Sequence, residues 1–195
     1  MENQFYTLNV SNSRNYFERL LTKPPGIPPV DCRHVPLEIF QPVDRTFDIQ
    51  TVVSPVRPPW LPKEVRHLST CAKATLSADW PGKSIFLLPT PGRYGSFLLH
   101  KACRASQQHG ITVVALLPSS TGSHAFHYFC MPRIHDLIFV PGRVRFPGMG
   151  SSPFAPSLIC VIRPSGRRAS SVNTLRRLLN SLTRSRQKNN CRQSI

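Results

Sequence analysis

Residues 84–95 read SIFLLPTPGRYG. The apolar run Ile85-Phe86-Leu87-Leu88 has the look of a buried strand, and it ends on the rigid turn Pro89-Thr90-Pro91-Gly92, with Tyr94 close behind. Such a turn is either a surface reversal or a catalytic loop that has lost its chemistry. Upstream, Asp48 falls in FDIQTVV, where an acid on a strand can accept hydrogen bonds from a ribose or an amine. His124, His127 and Cys130, at i, i+3 and i+6, would share one side of a helix and resemble metal ligands. No fourth ligand lies near them, so no metal is expected. Ser119, His124 and Asp136 have the residue types of a hydrolase, but no Gly-x-Ser-x-Gly elbow precedes them.

The elements that position these residues alternate. Leu37, Ile39, Phe40 and Val43 suggest a short helix that Pro42 ends early. Phe47–Val53 reads as a strand, Pro55–Pro62 as a proline-rich loop and Ser84–Leu88 as a strand. Ser96–His109 reads as a helix stopped by Gly110, and Ile111–Leu117 as the clearest buried strand, β-branched at its start and bounded by Gly110 and Pro118. His124–Cys130 is a short helix, and Leu137–Val140 and Ser157–Ile162 are further strands. Strand and helix in turn predict an α/β domain with a largely parallel sheet, whose ligands sit beyond the carboxyl ends of the strands. The turn at Pro89 and the loop Pro118–Gly122 both fall at such ends.

Composition bounds the rest. A chain of 195 residues is long enough for one domain with tails. Its 20 prolines, roughly twice the usual share, argue for irregular stretches between short elements. The formal charge of +16 points to polyanionic partners, nucleic acid ahead of an anionic membrane. The six cysteines are spread without a C-x-x-C pair, which fits reduced thiols in a cytoplasmic or nuclear protein, with Cys160 in the core. MENQFYTLNV lacks the basic start and apolar stretch of a signal peptide, so secretion is not expected, and no run is long enough for a transmembrane segment. Three parts are expected: an N-terminal extension over 1–34, a domain over 35–163 and a basic tail over 164–195. In the extension, Ser11 or Ser13 caps a short helix with Tyr16, Phe17, Leu20 and Leu21 as its apolar stripe.

Four blocks, in order, resemble the phage-type DNA adenine-N6 methyltransferases. DWPGKSIFLLPTPGRYGSFLLHKA is similar to their D-W-x-G turn, apolar strand, Asn-Pro-Pro-Tyr loop and helix ending in Lys-Ala. GITVVALLPSSTGSHAFH resembles their next strand, which ends in Leu-Leu-Pro. IHDLIFVPGRVRFPGMGSSPFAPSLICVI resembles their closing Gly-Arg-Leu-x-Phe segment, glycine loop and last strand. VPLEIFQPVDRTFDIQTVVSP resembles their opening Pro-x-x-x-Phe helix and Phe-x-Leu-Asp-x-Ala-Ala segment. The resemblance covers about residues 35–163. It implies a Rossmann-like methyltransferase sheet that binds S-adenosylmethionine and methylates adenine N6 in DNA. It places cofactor contacts at Pro36, Asp48 and Gln50, although Gln50 stands where the family carries a second acid. It places the reaction centre at Leu88, Pro89, Thr90 and Pro91. There the family's Asn side chain and the carbonyl between the prolines accept the adenine amine, and an aromatic ring stacks on the flipped base. Leu88 cannot accept a hydrogen bond, and Pro91 has no ring. Thr90 offers a hydroxyl, and Tyr94 is the nearest ring. The motif is therefore degenerate.

Basic residues complete the reading. Arg143 and Arg145 in Gly142–Phe146 either face a phosphate backbone or form the solvated side of a segment that buries Val144 and Phe146. From 137 to 195 there are eleven Arg or Lys and no acid. After Arg143 and Arg145 come Arg163, Arg167 and Arg168, and Val172, Leu175, Leu178, Leu179 and Leu182 then follow helical spacing. Arg176, Arg177, Arg184, Arg186 and Lys188 surround that stripe. Such a helix packs on the domain, contacts nucleic acid, fills a partner's groove or lies on a membrane; the charge favours DNA or RNA. Three functions follow. The first is a methyltransferase-like nucleic-acid-binding protein with weak or absent catalysis. The second is an active adenine-N6 methyltransferase in which Thr90, a backbone carbonyl and Tyr94 replace the usual groups. The third is a basic accessory protein without enzymatic activity. S-adenosylmethionine is the cofactor if its pocket is intact, and otherwise there is none.

Overall fold

The computed structural model describes residues 31–72, 74–119, 122–123, 125–149 and 156–164. The expected N-terminal helix, His124 and the tail beyond Pro164 lie outside them. The described chain is mixed α/β, with a six-stranded mixed sheet. Helix α1 spans Leu37–Phe47, strand β1 Thr51–Ser54, β2 Arg66–Ser69, the short α2 Ala74–Ser77, β3 Ser84–Leu87, α3 Arg93–His109, β4 Thr112–Pro118, β5 Ile134–Phe139 and β6 Ser157–Ile162. The sheet order is β2-β1-β3-β4-β6-β5. The first four strands are mutually parallel, while β6 runs antiparallel to both β4 and β5 and lies between them.

Strands β1, β3 and β6 are buried along their whole lengths, as strands covered on both faces must be. Successive side chains point to opposite faces and divide the core in two. Val53, Ile85, Leu87, Val113, Ala115 and Leu158 pack under α3, through Leu98, Ala102 and Cys103. Val52, Phe86, Val114, Leu116, Ile159 and Val161 form the opposite cluster with Ile39, Phe40 and Val43 of α1 and with Val144 and Phe146.

The structure corrects several expectations. Pro42 does not end α1, which continues to Phe47. An interior proline costs about 3 kcal/mol, but burying Ile39, Phe40 and Val43 stabilises by roughly 1.5–3 kcal/mol each. The strand expected over Phe47–Val53 begins only at Thr51, because Asp48 takes the left-handed conformation (φ 51°) and terminates α1, its N–H donating to the Asp44 carbonyl at 2.8 Å. Strand β2 and helix α2 were not anticipated. Helix α3 begins three residues earlier than expected, at Arg93, and ends as expected before Gly110. The short helix expected over His124–Cys130 is a π-helical turn over Phe126–Cys130, with Met131 N–H donating to the Phe126 carbonyl at 2.9 Å. Strand β5 begins at Ile134 rather than Leu137, whereas β6 has its expected bounds.

The first turn of α3 presses on the loop that follows β3. A Cβ added at Gly95 would stand 2.0 Å from the Thr90 carbonyl oxygen, so any side chain there displaces helix or loop. Gly95→Ala should destabilise the domain by about 1–3 kcal/mol. Gly122→Ala, where an added Cβ meets nothing within 4 Å, should leave it unchanged. Thermal denaturation of the two variants checks this, and equal midpoints would show that the helix and loop are not in contact.

Candidate functional site

The carboxyl ends of β1–β4 define the edge where a ligand of such a sheet would sit. The loop after β3 lies there and is held from several directions. Leu88 N–H donates to the Val53 carbonyl at 2.8 Å, and its side chain, 1% exposed, lies in the cluster under α1. Pro89 and Thr90 are buried, and Pro91 and Gly92 are exposed. Tyr94 does not face this loop as a stacking ring would. It is 4% exposed in the cluster under α3, and its hydroxyl donates to the Ala72 carbonyl at 3.3 Å. Burial, and secondarily Cys71, raise its pKa above the usual phenol value, so it stays neutral.

Residues 31–34, expected to belong to a separate extension, are bound to this edge. The Arg33 guanidinium forks onto Asp31, with Nε–Oδ1 at 3.0 Å and Nη2–Oδ2 at 2.7 Å. The same Nη2 donates to the Pro89 carbonyl at 2.9 Å. The guanidinium also lies over the Phe146 ring, 5.4 Å from its centroid. Next to it, His34 N–H donates to the Pro147 carbonyl at 3.0 Å. A Cβ at Gly148 would stand 2.2 Å from the Cys32 carbonyl oxygen, and φ there is +89°, so only glycine fits. The segment 31–34 is thus a strap between the Pro89 loop and the 143–148 segment. Sequence reasoning missed both Asp31 and Arg33. Their i, i+2 spacing, which puts two side chains on one side of an extended chain, was the available signal.

The remaining site residues are dispersed. Asp48 and Gln50 precede β1 and so lie at the amino edge, four strand residues or roughly 13 Å from the Pro89 loop. Asp48 offers its backbone carbonyl to Ser84 Oγ, and Gln50 Oε1 accepts from Lys83 N–H at 2.8 Å. Asp48 is therefore not the strand acid of the sequence reading. Pro36 is the buried first cap of α1, its carbonyl accepting from Phe40 N–H at 3.0 Å. Arg143 and Arg145 are exposed, while Val144 and Phe146 alternate with them as buried residues. Arg163 is at the amino edge, its guanidinium 5.8 Å from the Phe47 ring centroid. Arg167, Arg168, Arg176, Arg177, Arg184, Arg186 and Lys188 lie outside the described residues.

Other groups are structural. Asp136 pairs with His135 at 3.0 Å, both side chains nearly buried. No cluster of His, Cys, Asp and Glu able to hold a metal exists among the described residues. Cys103, Cys130 and Cys160 are buried thiols outside any disulfide. Burial pushes Cys103 up to about 12, and a hydrogen bond with Cys130, then burial, raises Cys160 well above the usual thiol value. These thiols are inert. A groove of about 360 Å³ runs along α3 past Trp80, Phe97 and Arg104. Its lysine, Lys101, donates to the Leu76 carbonyl at 2.8 Å and to the Ala78 carbonyl, so it staples α2 to α3 rather than offering a charge. At the carboxyl edge, Thr70 and Thr90 carry buried hydroxyls without a hydrogen-bond partner. Among the described residues, no helix is long and apolar enough to cross a membrane. Compared with known proteins, the chain matches no family model and no curated protein.

Two outcomes follow. Arg33→Ala leaves Asp31 and the Pro89 carbonyl without their partner, and should cost about 1–3 kcal/mol. It should also speed amide exchange at Thr90 and Gly92, and Arg33→Lys should restore only part, because an ammonium cannot fork. Unchanged stability and exchange would show that the strap is not anchored there. Burial depresses the pKa of His67 and of His100, so both stay neutral in the fold. Their contribution is complete above the unfolded value of about 6.5 and is lost as pH falls through the folded values. Urea midpoints should therefore drop between about pH 7.5 and 5.5, above the range where most carboxylates titrate; a flat profile would contradict this.

Proposed function

We propose that this chain is a methyltransferase-like protein, related to the phage-type DNA adenine-N6 methyltransferases, that contacts nucleic acid and has lost methyl transfer or retains only a trace of it. The order of elements supports the kinship. The D-W-x-G-like turn leads into β3, the Pro turn follows, α3 comes next, β4 ends in Leu116-Leu117-Pro118, β5 meets Gly142-Arg143, and β6 closes the sheet. The observation that carries the loss of activity is the state of the loop after β3. The position that should present a polar acceptor is Leu88, buried in the core. The carbonyl that should take an amine proton already accepts from Arg33. The nearest ring, Tyr94, is buried and hydrogen-bonded elsewhere.

These losses are large in rate terms. Removing one hydrogen bond that forms in the transition state commonly costs about 2.7–4 kcal/mol, or 100- to 1,000-fold. Here the side-chain acceptor and the ring are both missing. The groups named for the cofactor do not assemble either, since Asp48 and Gln50 lie at the amino edge with backbone roles. S-adenosylmethionine binding is accordingly taken to be lost with the chemistry. One observation favours an active enzyme with an altered loop: the buried, unpartnered hydroxyls of Thr70 and Thr90 lie where a ligand could satisfy them.

Calorimetric titration with S-adenosylmethionine, beside its demethylated product, decides between the two. No heat with either ligand, and no methyl transfer to adenine in DNA, is the expected result. Binding at tens of micromolar or tighter together with adenine methylation would overturn the proposal in favour of the active enzyme. Thr90→Val would then abolish binding if the orphan hydroxyl holds the ligand.

A further inference from the structure

We infer that the carboxyl edge of the sheet is the face that grips nucleic acid, and that it does so through the phosphate backbone without taking a base into the fold. The inference rests on the proposed nucleic-acid contact and assigns it a place. Its basis is how charge is divided between the two edges of the sheet. Arg93 follows the loop after β3, and Arg143 and Arg145 follow β5, so the topology brings all three to the carboxyl edge. All three are exposed. The acid bound into that edge, Asp31, is held by Arg33 in a nearly buried fork. Asp44, Asp48, Glu64 and Asp79 lie instead at the amino edge, interspersed with Arg45, Lys63, Arg66, Lys83 and Arg163. The carboxyl edge therefore carries an excess of positive charge, with Glu38 in the first turn of α1 as its other acid, and the amino edge is close to balanced. A polyanion is drawn to the first.

The geometry suits a backbone. Arg143 and Arg145 alternate with buried Val144 and Phe146, so they project to the same side about 7 Å apart along the chain. Phe146 is fixed beneath the Arg33 guanidinium, and Pro89, four residues before Arg93, accepts a hydrogen bond from it. The strap thus holds the two arginine-bearing segments in one relation to each other. It also fills the space a base would need beside the Pro89 carbonyl. Guanidinium groups make forked contacts to phosphate, which carry affinity but no sequence readout.

The test is fluorescence anisotropy of the full chain with a short labelled oligonucleotide, as duplex DNA, single-stranded DNA and RNA, over a salt series. The variant is Arg93→Gln/Arg143→Gln/Arg145→Gln, and the control is Arg45→Gln/Arg66→Gln/Lys83→Gln at the amino edge. Each lost phosphate contact should flatten the slope of log K against log salt by about one. The expected result is a loss of tenfold or more in affinity at low salt and a flatter slope for the first variant, with the control within about twofold of the wild type. A carboxyl-edge variant that binds as the wild type does would overturn the inference while leaving nucleic-acid binding intact. Failure of the wild type to bind any of the probes would instead overturn the proposed function, and this inference with it. A 2-aminopurine reporter should stay stacked on binding; a rise in its fluorescence would show that a base enters the fold.

Discussion

Strands β1, β3 and β6 have no solvent face, and the rest of the domain is arranged to cover them. One face is closed by α3. The other is closed by α1 and by the segment carrying Val144 and Phe146. This demand explains features that local preference would forbid. Helix α1 tolerates Pro42 because its apolar side is needed over Phe86 and Val52. Its end at Asp48 tolerates a left-handed aspartate because the chain must turn there to enter β1. Local strain is accepted where the core gains more than it loses.

The same demand shapes the carboxyl edge. A loop that binds a ligand must present polar groups outward, whereas the loop after β3 is turned inward. Leu88 extends the apolar face of β3, and Thr90 is buried. The carbonyl of the buried Pro89 would be an unpaired acceptor at the rim of the core, and burying one costs about 1–3 kcal/mol. Arg33 satisfies it from another segment. Asp31 in turn neutralises Arg33, whose side chain is only 13% exposed. A cation placed so deep without a carboxylate partner would be strongly destabilising.

How much of this was legible in the sequence follows from where the signals come from. Strands β3, β4 and β6 were readable because burial on both faces demands unbroken apolar runs, which have no other easy explanation in short segments. The end of α3 was readable from Gly110. Strand β2 was not, since an edge strand reading Arg66-His67-Leu68-Ser69 carries neither alternation nor a run. The end of α1 was misread because Pro42 is a strong local signal and the support that overrides it is tertiary. At the candidate site, the sequence located the loop after β3. It placed Asp48 wrongly, since the strand expected from Phe47 begins four residues later at Thr51 and leaves Asp48 as the end of α1. The strap was invisible because its partners, Pro89 and Phe146, are 56 and more residues away from Arg33.

The groups at this edge are coupled physically. Leu88 is compatible with the fold because its place is apolar, and an amide there would need a partner that Arg33 and Val53 do not supply. Tyr94 is held by the Ala72 carbonyl within the cluster under α3, so it cannot swing to the loop without opening that face. Arg33 can lie against Pro89 only while no ligand amine competes for the same carbonyl lone pairs at close range. What this edge presents to solvent is its exposed arginines, Arg93, Arg143 and Arg145, rather than the buried groups beneath them.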